Sequence, residues 1–179
     1  MKEQRRKILG DERRTLLLNL LKNSTQPITG SELASRTKVS RQVIVGDITI
    51  LKAKKEPIIA TSMGYLYLKP QGVEEVIERT IAVSHPPERT EEELNILVDH
   101  GVTVKDVRIE HPVYGDLTAS IMVSNRNDVK HFMEKVRATK ASYLSELTNG
   151  IHLHTISAAT VETLDRAEAA LKQGGFLIE

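Results

Sequence analysis

The sequence predicts an α+β protein of two domains: an N-terminal winged helix-turn-helix and a C-terminal two-layer α/β sandwich. Three observations carry this. First, 179 residues leave room for one large domain or two small ones. Second, charge is segregated: residues 1–70 hold 14 Lys/Arg against 6 Asp/Glu, a net of +8, while residues 71–179 hold 11 against 18, a net of −7. Third, the apolar periodicity changes from helices closed by one short hairpin to strands alternating with helices. The boundaries read as 1–70 for the basic domain, 71–80 for a connecting helix, and 81–179 for the acidic domain.

In the basic domain, Leu17, Leu20 and Leu21 share one face of a helix from about Asp11 to Asn23. Pro27 ends the connection, and Thr29 or Ser31 caps a short second helix carrying Leu33 and Ala34. "TKVS" reads as a tight turn whose Val39 plugs the core. Ser40 caps a third helix with Val43, Ile44, Ile48 and Leu51 as its buried stripe. "IIATSMGYLYL" then alternates around Met63-Gly64 as a hairpin, or wing.

Two helices joined by a tight turn, the second polar at its start, match a reader of the major groove. Ser40, Arg41 and Gln42 at that start, and Lys52, Lys54 and Lys55 at its end, are the candidate DNA-binding residues. The basic charge favours a polyanionic partner. Gly46, in the middle of the recognition helix, costs roughly 1 kcal/mol relative to Ala, so close approach of another helix or of DNA backbone is expected there.

In the acidic domain, a connecting helix from Val73 to Arg79 leads to an extended "IAVSH". A helix from Glu91 to His100 stops at Gly101, and a hairpin turns at Gly115-Asp116. A helix or helix pair follows in "NRNDVKHFMEKVRATKASYLSEL", then the strand "GIHLHTISA". A helix capped by Thr160 and stopped by Gly174 or Gly175 precedes a closing strand "FLIE". Alternation puts Val107, Ile109, Leu117, Ala119, Ile121, Val123, Ile151 and Leu153 on the helix-covered side of the sheet. It leaves Arg108, Glu110, Thr118, Ser120, His152 and His154 on an open face.

The composition restricts what those polar residues can do. With no cysteine, disulfides and thiolate metal sites are excluded, and His and carboxylates remain as metal ligands. No apolar run approaches the ~18 residues of a membrane span, and the basic "MKEQRRKILG" lacks the apolar segment of a secretory signal. A cytoplasmic protein with no membrane partner is expected.

His152 and His154 are same-face neighbours in an extended chain, so their rings can converge on one cation or simply face solvent. His85 lies in an irregular stretch close in sequence to Glu93, which would complete a set of three histidines and one carboxylate. Taken alone, Glu93 reads as half of a Thr90-x-x-Glu93 capping box. His111 reads as a core or turn residue, His131 as a helix-face residue, and His100 as a helix C-terminal partner of the dipole. Catalysis is not expected, since there is no glycine-rich phosphate loop and no spare general base. The alternatives are a regulator that senses the metal itself, or a metal-dependent bifunctional enzyme-repressor.

A winged helix containing "ITGSELA" and "VSRQVIV", then "SHPPERTEEEL", "HPVYGDL" and "GIHLHTI" in that order, resembles the NiaR-type nicotinate-responsive repressors of NAD biosynthesis and niacin uptake across essentially the whole chain. The resemblance implies an HPr-like second domain, called the three-histidine domain, and a homodimer. It implies nickel or zinc held by His85, Glu93, His152 and His154, and nicotinate as corepressor. Arg108 is then the expected partner of the nicotinate carboxylate. Gly46 departs from the larger polar residue that the resemblance leads one to expect.

Overall fold

The computed structural model describes residues 10–68 and 76–178, and the chain divides between Pro70 and Gln71 into two compact units. In the first, helices α1 (Gly10–Lys22), α2 (Gly30–Thr37) and α3 (Arg41–Ala53) precede the hairpin of β1 (Ile58–Thr61) and β2 (Gly64–Tyr67). Leu17, Leu21, Leu33, Ile44, Ile48 and Leu51 close the core between the helices, with Ile58 of the wing beneath them. Thr29 is the cap of α2, its hydroxyl accepting from the Glu32 amide at 3.1 Å. Ser40 caps α3 in the same way through the Val43 amide. Lys38 takes a left-handed conformation between the two helices, which turns the chain sharply there. Val39 packs against the core from that turn.

Two details of α3 differ from expectation. Val43 lies outside the buried stripe and is exposed, while Asp47 is inside it. The reason is an ion-pair cluster: Asp47 accepts from Arg13 Nε at 2.5 Å and from Arg14 Nη1 at 3.2 Å, both on α1. A buried carboxylate held by two guanidinium groups rotates the helix face that a purely apolar pattern would have turned inward.

The second unit is a four-stranded antiparallel sheet in the order β3-β6-β4-β5, from β3 (Ile77–Ser84), β4 (Thr103–His111), β5 (Gly115–Val123) and β6 (Ile151–Ala158). Helices α4 (Thr90–Asp99), α5 (Arg126–Thr139) and α6 (Val161–Gln173) supply the second layer. Numbered within this unit, the strands run 1-4-2-3, the HPr-like arrangement. Asn125 and Thr160 cap α5 and α6.

Three expectations for this unit are corrected. Residues 77–79 of the expected connecting helix are strand, paired with β6, and 73–75 lie outside the described residues. Arg79, on the helix-covered side of β3, donates to Asp165 and Glu168 of α6. The closing strand shrinks to a single bridge between Leu177 and Val83, because Phe176 folds into the core beside it. Most consequentially, the faces of β6 are reversed. Ile151 is 54% exposed, whereas His152 and His154 are buried with Ile156 and Ala158 on the helix-covered side.

Candidate metal centre and DNA-reading helix

Register places the two histidines. His152 lies opposite Val83 and His154 opposite Ile81, both core residues of β3, so the imidazoles point into the layer beneath α4. Glu93, on the inward face of α4, descends to meet them. His85 follows directly after β3 and approaches from the strand's end. Gly150 makes that approach possible: a Cβ there would sit 2.4 Å from the His85 carbonyl oxygen, and its φ of +91° favours glycine.

Each imidazole is aimed by its far nitrogen. Nδ1 of His85, His152 and His154 bonds to the carbonyl oxygens of Pro86 (2.9 Å), Gly150 (2.9 Å) and Asp106 (2.6 Å). A carbonyl only accepts, so each Nδ1 carries the hydrogen and each Nε2 is turned toward Glu93. Those Nε2 atoms lie 2.8, 3.7 and 3.3 Å from the carboxylate oxygens for His85, His152 and His154. The two Nε2 atoms of β6 are 3.1 Å apart. Asp106 has a second part in this arrangement, since its carboxylate accepts the Thr155 amide and anchors β6 beside His154.

The electrostatics follow from the burial. Desolvation pushes the Glu93 carboxyl up, yet the charge of His154 and hydrogen bonds from all three imidazoles outweigh it and hold Glu93 well below its ordinary value. Desolvation likewise pushes His85 and His154 down, but Glu93 more than offsets it and both rise above the ordinary histidine value. The site therefore prefers positive charge next to Glu93.

As a donor set the cluster fits a divalent transition metal. Ligand atoms of His85, Glu93 and His152 lie within 4.8 Å of one another, with His154 in contact with two of them. Three imidazoles and one carboxylate, without thiolate, suit zinc or nickel, and the Nδ1-carbonyl bonds are the outer contacts that orient such ligands. Glu93 Oε1 is buried with no well-aligned hydrogen bond among the described residues, His154 Nε2 lying 3.3 Å away, so it keeps capacity to bind a cation.

The expected Thr90-Glu93 capping box is absent. Thr90 follows a 3-10 turn, Pro87–Arg89, that leads the chain into α4 without a side-chain cap. Glu93 is thereby free for the histidines, and the buried Thr90 hydroxyl has no hydrogen-bond partner among the described residues. Both residues line a cavity of about 380 Å³ that also borders His85, His152 and His154. Val107, Ile121, Phe132, Val136, Tyr143 and Leu144 make its remaining walls chiefly apolar, and no Lys or Arg lines it among the described residues.

Arg108 does not join this site. The bulge in β4 turns Val107 inward and Arg108 to the opposite face of the sheet, where it donates to Thr80 Oγ1 at 3.0 Å. Its expected role as carboxylate partner is corrected accordingly. His111 accepts the Val113 and Tyr114 amides in the hairpin turn, His100 bonds the Ile96 carbonyl at the end of α4, and His131 is exposed on α5.

In the first unit, Arg41, Gln42, Lys52, Lys54 and Lys55 are exposed, and Ser40 is occupied as the cap. Among the described residues nothing lies within 4 Å of the position a Cβ at Gly46 would take, so none of their helices explains it. Sequence reasoning missed Asp47, Gly150, Asp106 and the exposure of Val43. For β6 a signal was present: Ile156 and Ala158 share parity with the histidines and identify the inward face.

A helix-turn-helix head joined to a sandwich with a buried three-histidine cluster defines a DNA-binding regulator. Residues 13–66 match the model of the HTH domain and residues 78–179 that of the 3H domain. The chain is 56% identical to the transcription repressor NadR of Bacillus subtilis over 174 residues, 97% of each protein. It is 40% identical to the probable transcription repressor NiaR of Thermotoga maritima over 173 residues, again 97% of each. The chain belongs to this NiaR-type family of transcription repressors.

Proposed function

We propose that this repressor controls genes of NAD biosynthesis or niacin uptake, with nicotinate as its corepressor in the cavity beside the histidine cluster. The carrying observation is the convergence of three Nε2 atoms and the Glu93 carboxylate at the edge of an apolar cavity. A nickel or zinc ion held by His85, Glu93, His152 and His154 supplies positive charge in a cavity that lacks Lys and Arg. The volume suits a small aromatic acid, and Val107, Ile121 and Phe132 offer apolar surface to a ring. The unpartnered Thr90 hydroxyl offers the ligand a hydrogen bond.

The repressor acts as a homodimer, placing two copies of α3 in successive major grooves of a palindromic operator. Nicotinate strengthens repression because it favours the dimer geometry competent for DNA; a ligand indifferent to the two states would shift nothing. Operator-shift titrations with metal and nicotinate added separately test the reading. Both should be needed for full binding, and His152→Ala should lose the metal and the nicotinate response together. A full response to metal alone would make the protein a metal sensor. Nicotinate stimulation retained in metal-free His152→Ala would remove the metal from the scheme.

A further inference from the structure

The solvent face of α3 is uncharged for most of its length. Gln42, Val43, Gly46, Thr49, Ile50 and Ala53 recur at helical spacing and are all exposed. Val43 is 37% and Ile50 41% exposed, two β-branched side chains partly open to solvent. Asp47, the one acid of the helix, is turned away and tied to Arg13 and Arg14, so no negative charge faces outward. Arg41 lies at one end of the stripe, Lys52 and Lys54 at the other. Gly46 sits between the two apolar residues with open space above it.

We infer that this face reads A·T pairs, with Val43 and Ile50 packing on thymine methyls, Gln42 bonding an adenine edge, and Gly46 marking the closest approach to the bases. The inference rests on α3 being the helix that enters the operator. In the major groove the thymine C5-methyl is the one apolar group a base pair presents, and Gln is suited to adenine N6 and N7. The flanking Arg41, Lys52 and Lys54 meet phosphates, which position the helix without reading sequence. A Cβ at position 46 meets no atom of the described residues within 4 Å, so the space is open to a partner. A glycine there weakens the free helix, and closer approach to DNA is what it permits.

The test uses the full-length protein with nickel and nicotinate present throughout. Operators are selected from a random duplex pool, and each thymine is then replaced singly by deoxyuridine, which removes only the methyl group. One or two thymines per half-site should show a loss of about fourfold in affinity, the equivalent of one buried methyl. On those uracil duplexes Val43→Ala or Ile50→Ala should cost no further affinity. Gly46→Ala should raise the Tm of the free protein while weakening specific binding, opposite signs that a merely structural role would not produce. Uniform indifference to uracil, or losses that simply add to those of the alanine variants, would overturn the methyl reading. A Gly46→Ala protein that binds like wild type would overturn the close approach. Failure of the selection to enrich any sequence would instead sink the assignment of α3 as the reading helix, and this inference with it.

Discussion

At the scale of single residues, the histidine cluster depends on atoms that never touch a ligand. Three backbone carbonyls set the three Nδ1 positions, and two of those carbonyls, of Pro86 and Gly150, belong to backbone where β3 and β6 meet. Gly150 keeps them together through the bond from the His85 amide to its own carbonyl, at 3.3 Å. Gly150→Ala would force a carbon to 2.4 Å from the His85 oxygen in a backbone region strained for alanine. It should lower metal affinity at least ~10-fold, the size of effect expected when outer contacts of a metal site are disturbed. Competition with a chromogenic chelator would measure this. The remaining signal should come with β6 still paired to β3, as amide exchange would report.

At the scale of elements, α3 is fixed by polar as well as apolar contacts. Asp47 binds Arg13 Nε and Arg14 Nη1 on α1, inside a core otherwise made of Leu17, Leu21, Ile44 and Ile48. Removing the acid takes away the hydrogen bonds it accepts from Arg13 and Arg14, so Asp47→Ala should cost about 2 kcal/mol. Denaturant unfolding followed by a probe in the DNA-binding unit should show it, with metal content of the 3H domain unchanged. The same cluster explains an element that sequence reasoning misplaced. Val43 belongs to the apolar pattern Val43-Ile44-Ile48-Leu51, yet the ion pairs rotate the helix toward Asp47 and leave Val43 outside. In β6 the short alternation of Ile151 and Leu153 predicts a helix-covered face, yet both residues are exposed on the side away from the helices. The sequence predicts helix over the start of β3, 77–79; pairing with β6 across eight residues makes it strand. Long amphipathic helices with caps were legible because spacing, cap and stop agreed, as at Thr160 for α6.

At the scale of the whole molecule, a basic helix-turn-helix domain and an acidic 3H domain are joined in one chain, and the proposed repression by nicotinate would require a coupling free energy between a ligand site and the operator site. Coupling is reciprocal for binding. The factor by which nicotinate tightens operator binding should therefore equal the factor by which operator tightens nicotinate binding. Calorimetric titration of nicotinate into the metal-loaded repressor, with and without saturating operator duplex, would measure the second factor directly. Unequal factors would show that the two titrations report different metal or oligomeric states. Among the described residues no helix is long and apolar enough to cross a membrane.

The sequence by itself determined the helix-turn-helix and its caps, the hairpin wing, and the presence of an α+β domain. These follow from local periodicity and from side chains that cap their own helix ends. It also singled out His85, Glu93, His152 and His154, because the absence of cysteine leaves few other donors and the family motifs mark these four. Only the tertiary structure decided which way they point. The cluster is buried beneath α4 and not displayed on an open sheet, because facing is set by register against Ile81 and Val83 and by a bulge in β4. Two-residue alternation says which side chains share a face, but which face is covered depends on strands and helices distant in the chain. That same physics separates Arg108 from His152 and His154 although it pairs with Leu153 on the adjacent strand.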